Sequence, residues 1–166
     1  MSSPSPSPTI SSGAVDEPLD FGVLLNVSFG AFKLQLHRHL VNAGFTDLGP
    51  SFGYVFRLLL ARPASLRDVA ERLGISSPGA LKVVDDMVAK GYVERQDDPH
   101  DRRVKQLLLT ARGRRAIEEA RRFHAMFEQG LAERLGAGQV AAARAVLEQV
   151  VAHLSDAELE AGLRPS

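Results

Sequence analysis

Four charged residues in the run DRRVK, which spans 101–105, have the types and the spacing to contact nucleic acid. A guanidinium such as that of Arg103 is attracted into a narrow, electronegative A·T minor groove. Arg102 and Lys105 can contact phosphate, and Asp101 can pair with an arginine and hold the segment rigid. These side chains predict a DNA contact. The alternative is a solvated hairpin whose charges only keep the chain soluble.

The basic run lies between two segments of apolar, β-rich composition, Tyr92–Arg95 and Val104–Leu109, which predict two short strands. The run between them, QDDPHDRR, is too long and too charged for a tight turn. We therefore expect a hairpin wing with a charged tip. A purely solvated hairpin is disfavoured, because apolar strands that support a charged tip are otherwise hard to explain.

Two short helices joined by a tight turn are predicted just before the wing. Ser65 can cap the first helix, with Asp68 three residues later as the partner in a capping box. Gly74 suits the left-handed turn, and Ser77 followed by Pro78 predicts the N-cap and first position of the second helix. This order is a helix-turn-helix, whose second helix enters the DNA major groove. A plain helical hairpin would have the same stripes of apolar residues along its helices. The caps and the wing are what favour a helix-turn-helix over such a hairpin.

The first turns of the second helix are expected to face the major groove. Lys82 is the obvious long donor there, and Leu81 can touch a thymine methyl group. Asp85 and Asp86 would repel phosphates if they turned toward DNA. Base specificity is therefore expected to be weak, or to depend on DNA shape read by the wing. The predicted contacts of this helix are Ser76, Ser77, Pro78, Gly79, Leu81 and Lys82.

The charge distribution permits DNA binding although the net charge is zero. Residues 62–115 carry 12 Lys/Arg and 8 Asp/Glu, so the predicted DNA-binding segment is the basic part of the chain. There is no cysteine, which excludes thiolate metal sites and thiol redox sensing. The N-terminal MSSPSPSPTISSG lacks the basic and apolar regions of an export signal, and no apolar run is long enough to span a membrane. We expect a cytoplasmic protein without a membrane partner.

An enzyme is not expected. The sequence contains no phosphate-cradling glycine loop, no GxSxG and no cysteine nucleophile. His37 and His39 are two residues apart, so a helix would point them to different faces, and no metal site is expected. No cofactor is predicted.

The remaining segments predict flanking helices. Residues 1–16 form a Ser/Pro-rich tail, expected to be disordered, and helices are expected at about Pro18–Asn42, Gly49–Ala61, Ala111–Leu135 (capped by Thr110) and Gly138–Leu163. Val140 to Ala157 form a heptad-like apolar seam on the last helix. The first helix and the last two are too amphipathic to stay exposed, which favours a two-fold homodimer over one self-packed monomer. The expected fold class is mainly α with a small β-wing, a winged helix-turn-helix core flanked by N- and C-terminal dimerisation helices.

The runs LxxVAERLGIS, KGYVER and DDPHDRRVKQLLLTARGRR resemble winged-helix regulators of the MarR (multiple antibiotic resistance regulator) family. The resemblance covers about Phe21–Leu163. Its most specific part is Asp-x-Arg followed by Leu-Thr-x-x-Gly, matched by Asp101, Arg103, Leu109, Thr110 and Gly113. It implies one domain over 17–163, with a DNA-binding part at 48–113 and dimerisation helices at 17–43 and 114–163. It also implies a homodimeric transcription regulator, usually a repressor that leaves a palindromic operator when a small ligand binds.

An effector pocket follows from the same resemblance. In the family, ligands commonly lie where the dimerisation helices meet the winged domain, so a small aromatic or apolar effector is implied. The residues in the right segments are Phe32, Leu36, His39, Phe52, Tyr54 and Phe56, which could equally be plain core. The chain departs from the family at Gly79 and Leu81, where Thr, Ser or Arg is common. This departure favours an alternative, a winged-helix protein-interaction module that has lost specific DNA reading.

Overall fold

The computed structural model describes residues 19–97 and 105–162. Within them lies a three-stranded sheet of β1 (Ala64–Ser65), β2 (Val93–Asp97) and β3 (Lys105–Leu109). The helices are α1 (Phe21–Asn42), α2 (Phe52–Ala61), α3 (Leu66–Leu73), α4 (Ser77–Ala89), α5 (Ala111–Leu135), α6 (Ala137–Ala152) and α7 (Asp156–Gly162). The expected mainly α architecture with a small β-wing is confirmed.

The sheet is antiparallel, with β3 in the middle. Val93 lies opposite Leu109 and Asp97 opposite Lys105, so β2 and β3 form the predicted hairpin. β2 begins one residue later and ends two residues later than predicted, because its pairing with β3 continues into the charged run. The third strand, β1, was not predicted. It is only two residues long, and Ala64 joins the sheet by pairing with Leu107.

The helix-turn-helix follows the predicted capping, with one correction. Both halves of the Ser65–Asp68 capping box are formed, and Gly74 turns the chain at φ 65°. The predicted N-cap of α4, Ser77, is wrong. Ser76 has extended backbone angles and its Oγ accepts the Gly79 N–H at 3.4 Å, so Ser76 is the cap and Ser77 is helical. Pro78 still lies in the first turn, where its missing N–H leaves no helical bond unmade.

Three predicted helices have different bounds. α1 begins at Phe21 rather than at about Pro18, and α2 begins at Phe52 rather than at about Gly49. The single last helix, Gly138–Leu163, is wrong, since α6 ends at Ala152 and α7 begins at Asp156.

A capping box explains the break between α6 and α7. Ser155 Oγ accepts the Glu158 N–H at 3.3 Å, and the Glu158 carboxylate accepts the Ser155 N–H at 2.8 Å. A new helix therefore starts after Ser155. The predicted seam from Val140 to Ala157 does not run along one helix.

The chain divides into two compact units, Met1–Gln35 and Leu36–Ser166. In the first, the described residues are Leu19 to Gln35, and their side chains are mostly exposed. The core lies in the second unit. Its centre is Tyr92, which is 0% exposed and has the rings of Phe52, Phe56 and Phe45 at 5.7, 5.8 and 6.4 Å.

Gly113, in the first turn of α5, lies against the backbone of Tyr92. A Cβ at this position would sit 2.3 Å from the Tyr92 carbonyl oxygen, closer than any real contact allows. The glycine of the Leu-Thr-x-x-Gly motif thus lets α5 approach the start of β2. Its role is steric, since the residue lies within a helix.

We expect Gly113→Ala to lower the free energy of unfolding by about 1–3 kcal/mol, because backbone must move to admit the methyl group. Urea denaturation followed by circular dichroism measures this. Gly130→Ala is the matched control on the same helix, where a Cβ meets nothing within 4 Å. It should stabilise by about 0.5–1 kcal/mol, as alanine for glycine does in a helix. Equal effects of the two substitutions would show that the contact with Tyr92 is not tight.

Candidate nucleic-acid interface

The N-terminal part of α4 presents the predicted contact residues to solvent. Ser76, Ser77, Pro78 and Lys82 are exposed, Leu81 is 43% exposed and Gly79 is half-buried. Ala80, Val84 and Met87, on the same helix, are buried in the core. One face of α4 therefore packs against the core, and another face is exposed to solvent.

The cap of α4 uses one of the predicted contacts. Ser76 Oγ accepts the Gly79 N–H, but its hydroxyl hydrogen can still be donated. Ser76 can thus cap the helix and contact a phosphate or a base at the same time. Ser77, in the first turn, is exposed and has its hydroxyl available in the same region.

The acids of α4 are paired with cations. Asp85 forms an ion pair with Arg95 of β2, and Asp86 Oδ2 lies 2.8 Å from Lys90 Nζ. Their negative charge is therefore compensated locally, which weakens the repulsion of phosphate expected from the sequence. The Asp85–Arg95 pair joins residues ten positions apart on different elements, so helical spacing alone could not predict it. In the described part of the chain Lys82 has no ion pair, so its ammonium is available.

The wing is described only at its base. Lys105 begins β3, is exposed and forms an ion pair with Asp97 across the hairpin. Asp97 therefore competes with phosphate for Lys105. The other predicted wing residues, Asp101, Arg102 and Arg103, lie outside the described residues.

The base of the wing is tied to the start of α5. Thr110 Oγ1 donates to the Gly91 carbonyl at 2.6 Å, and the Thr110 N–H donates to the Tyr92 carbonyl at 3.2 Å. The same Oγ1 accepts the Gly113 N–H at 3.1 Å, which makes Thr110 the N-cap of α5, as predicted. One threonine thus fixes both the entry to β2 and the exit from β3.

A second set of contacts, which we call the Asp47 cluster, joins Asp47, Tyr92 and Arg112. The Tyr92 hydroxyl donates to Asp47 Oδ1 at 2.5 Å. Arg112 Nη2 donates to Asp47 Oδ1 and Oδ2 at 2.9 and 3.1 Å, and its guanidinium lies 4.6 Å from the centre of the Tyr92 ring. The cluster ties the α1–α2 loop to the start of β2 and to α5. Sequence reasoning missed it, because the three residues are far apart in the chain and carry no spacing signal.

The cluster holds its groups in fixed protonation states. The hydrogen bond from Tyr92, together with the charge of Arg112, lowers the pKa of Asp47. Burial raises the pKa of the Tyr92 phenol, and its bond to ionised Asp47 raises it further. Hydrogen bonding to Tyr92, with the charge of Asp47, raises the pKa of Arg112. At neutral pH the cluster is an ion pair bridged by a neutral phenol.

The predicted effector residues occupy two kinds of environment. Phe52 and Phe56 are buried in the core against Tyr92. Leu36, Tyr54 and His39 are half-buried. The ring of His39 lies 5.5 Å from that of Phe123 on α5, and its Nε2 lies 3.5 Å from the Glu119 carboxylate.

Phe32 belongs to the other unit and is also half-buried. Two surface grooves lie elsewhere, one along α3 and one between α5 and α6, and none of the six residues lines either groove. The effector pocket stays a prediction. Among the described residues no group of three or more His, Asp or Glu could hold a metal ion, and none of their helices is long and apolar enough to cross a membrane.

The segment that carries these features is similar to a known protein family. Residues 46–104 match the model of the MarR family, which spans the helix-turn-helix and part of the wing. No curated protein matches the chain. This match confirms the family resemblance predicted from the sequence over residues 46–104.

Three solved structures show the likeness. An S. aureus MepR mutant bound to an oligodeoxyribonucleotide is 20% identical, with a TM-score of 0.60 over 83% of this chain and 100% of that one. Apo wild-type MarR from E. coli is 22% identical, with a TM-score of 0.64 over 81% and 98%. The repressor CouR bound to a 23-mer DNA duplex is 27% identical, with a TM-score of 0.53 over 81% and 99%. The winged-helix fold class is thereby confirmed.

We expect Asp47→Asn to lower the free energy of unfolding at pH 7, and by less near pH 3. The pKa of Asp47 is lowered by folding, so its ionised form stabilises the fold above the unfolded-state pKa. That contribution disappears as the pH falls through the lower folded-state pKa, and the two proteins converge between about pH 5 and pH 2. Urea denaturation at several pH values measures the difference.

Glu118→Gln is the control for this experiment. Glu118 is an exposed acid on α5 that makes no ion pair within the described residues. Its substitution should change stability little at either pH. An Asp47→Asn effect that is the same at pH 7 and at low pH would mean that the ionised carboxylate is not what stabilises the cluster.

Proposed function

Because this chain carries the winged helix of the MarR family, we propose that it is a DNA-binding transcriptional regulator. The observation that carries the proposal is the N-terminal end of α4, where Ser77, Leu81 and Lys82 are exposed and follow a capped turn, and Lys82 makes no ion pair within the described residues. The charges of Asp85 and Asp86, which would oppose DNA, are compensated by Arg95 and Lys90. DNA-bound MepR and CouR, which share the fold, support the same role.

In the proposed complex α4 enters the major groove. Lys82 contacts phosphate or a guanine edge, the Ser76 and Ser77 hydroxyls donate to phosphate or bases, and Leu81 touches a thymine methyl group. The wing lies over the adjacent minor groove, where Arg103 inserts, Asp101 holds it, and Arg102 and Lys105 contact phosphate. With a single long donor on α4, the sequence preference is carried largely by DNA shape.

We propose a homodimer in which α1 and the C-terminal helices pair. Four large apolar side chains of α6, Val146, Leu147, Val150 and Val151, are 46–51% exposed. On α1, Phe21, Val27 and Phe29 are 53–58% exposed. Several large apolar side chains exposed on one helix are typical of an interface. A two-fold dimer would present two α4 helices to successive major grooves about 34 Å apart, which fits a palindromic operator.

The domain assignment and the regulatory mode complete the proposal. Residues 48–113 form the DNA-binding part, and 17–43 with 114–163 form the dimerisation part. The chain acts in the cytoplasm as a repressor, and a small aromatic or apolar effector releases it. The alternative is an interaction module without specific DNA reading, which the small Gly79 and apolar Leu81 at the groove-facing turn favour.

DNA binding is tested by fluorescence anisotropy on the DNA upstream of the chain's own gene, at several salt concentrations. We expect saturable binding that weakens steeply with salt. Lys82→Ala should weaken binding several-fold on all sequences and reduce the salt slope by about one, as the loss of one phosphate contact does. Lys90→Ala, which removes a lysine already paired with Asp86, should leave the slope nearly unchanged, although the uncompensated Asp86 charge lowers the affinity. No saturable binding by the parent at low salt would favour the interaction module.

Dimerisation is tested by light scattering after size exclusion. We expect the parent to have the mass of two chains of 18.0 kDa each. Leu147→Asp together with Val150→Asp should give one chain, because burying two carboxylates in an apolar interface is strongly unfavourable. Circular dichroism should show that helix content is kept. Glu148→Gln, an exposed neighbour, should leave the dimer intact, and an unchanged mass in the double variant would rule out this face.

A further inference from the structure

A groove of about 770 Å³, which we call the arginine groove, runs along α3 next to the helix-turn-helix turn. The end of α2, the length of α3 and the start of α4 form its walls. Three arginines are among the residues that line it, together with apolar residues. The residues used below are Leu58, Arg62, Arg67, Arg72, Ile75 and Ser77.

Two of the three arginines already have carboxylate partners within the groove. Arg62 Nη2 donates to Asp68 Oδ1 at 3.2 Å, and Arg67 Nε donates to Glu71 Oε1 at 2.8 Å. Asp68 also accepts the N–H and the hydroxyl of Ser65 in the capping box, both at 2.7 Å. Both acids of the groove therefore already pair with Arg62 or Arg67, and neither pairs with the third arginine.

Arg72 is the exception. Its Nε is buried and has no hydrogen-bond partner, and no ion pair of Arg72 occurs in the described part of the chain. Only this nitrogen is buried, since Arg72 as a whole is half-buried. A buried donor without an acceptor is unfavourable, and the groups that best satisfy a guanidinium are a carboxylate and a phosphate.

The geometry points to a phosphate site in the arginine groove, held by Arg72 and flanked by Arg62 and Arg67. Phosphate fits better than a lone carboxylate, because its several oxygens can accept from more than one guanidinium. Ser77 at the first turn of α4 lies on the same groove and can add a hydroxyl donor. This site is separate from the predicted effector residues, none of which lines it.

Two sources could supply the phosphate. One is the DNA backbone, which the nearness of Ser77 and the α4 N-terminus favours, and this source rests on the proposed function. The other is a free phosphate or phosphate monoester, whose apolar part would lie against Leu58 and Ile75. The second source is independent of DNA binding. The recognition chemistry is the same for both.

The first arm of the test titrates inorganic phosphate into the full-length, ¹⁵N-labelled protein, with chloride at matched ionic strength as the reference. We expect a saturable shift of the Arg72 Nε–H NMR signal. In Arg72→Gln, shifts of the neighbouring Gly74 and Ile75 amides should report affinity weakened about ten-fold, the cost of losing a hydrogen bond to a charged group. Arg57→Gln, which removes an exposed α2 arginine outside the groove, should bind phosphate as the parent does.

The second arm measures the salt dependence of DNA binding for the same variants. If Arg72→Gln lowers the salt slope by about one and Arg57→Gln does not, the DNA backbone fills the site. If phosphate binds but the slope is unchanged, or the parent binds no DNA at all, the source is a free phosphate. A phosphate titration without a saturable Arg72 signal, combined with no Arg72-dependent change in the DNA slope, overturns the site. The phosphate arm needs no DNA, so it separates this proposal from the proposed function.

Discussion

The contacts around Tyr92 are what the rest of the structure depends on. Its ring fills the centre of the core, and its hydroxyl reaches Asp47 and Arg112 at the edge of that core. Its carbonyl oxygen accepts from Thr110 and leaves no room for a side chain at Gly113. One residue therefore sets the distances between the α1–α2 loop, the base of the wing and α5. A buried phenol tolerates this position only because its polar end has partners, since an unpaired hydroxyl there would cost about 1–3 kcal/mol.

Local signals in the sequence predicted the winged helix well. Ser65, Gly74 and Thr110 each do what a cap or a left-handed turn requires, and α5 has the predicted bounds. These features depend on neighbours three or four residues away, so spacing reveals them. The N-cap of α4 was misplaced by one residue because two adjacent serines precede Pro78, and spacing does not choose between them.

What the sequence could not reveal are contacts between distant segments. Asp85 with Arg95, Asp47 with Arg112 and Ala64 with Leu107 each join elements whose relative placement only the tertiary fold sets. The first of these changes how the candidate site is understood. On sequence alone Asp85 was a charge that opposed DNA, whereas in the structure it neutralises an arginine at the wing. The surface around α4 is thus closer to neutral than its single charges suggest, because Asp85 pairs with Arg95 and Asp86 pairs with Lys90. If this surface binds DNA as proposed, its near-neutral charge favours contact through DNA shape and a few phosphates over a dense pattern of base contacts; Lys82 makes no ion pair within residues 19–97 and 105–162.

The break at Ser155 constrains the geometry of the proposed homodimer. A single helix to Leu163 would have offered one seam with a regular alternation of three and four residues, as coiled coils do. The Ser155–Glu158 capping box restarts the helix, so the phase of the apolar residues after the break is unrelated to the phase before it. Leu147 and Val150 lie on one segment, and Leu159 lies on another. A dimer interface that buries all three must therefore be formed from two short helices, each with its own partner surface, and it gains its stability from shape complementarity rather than from a repeated heptad contact.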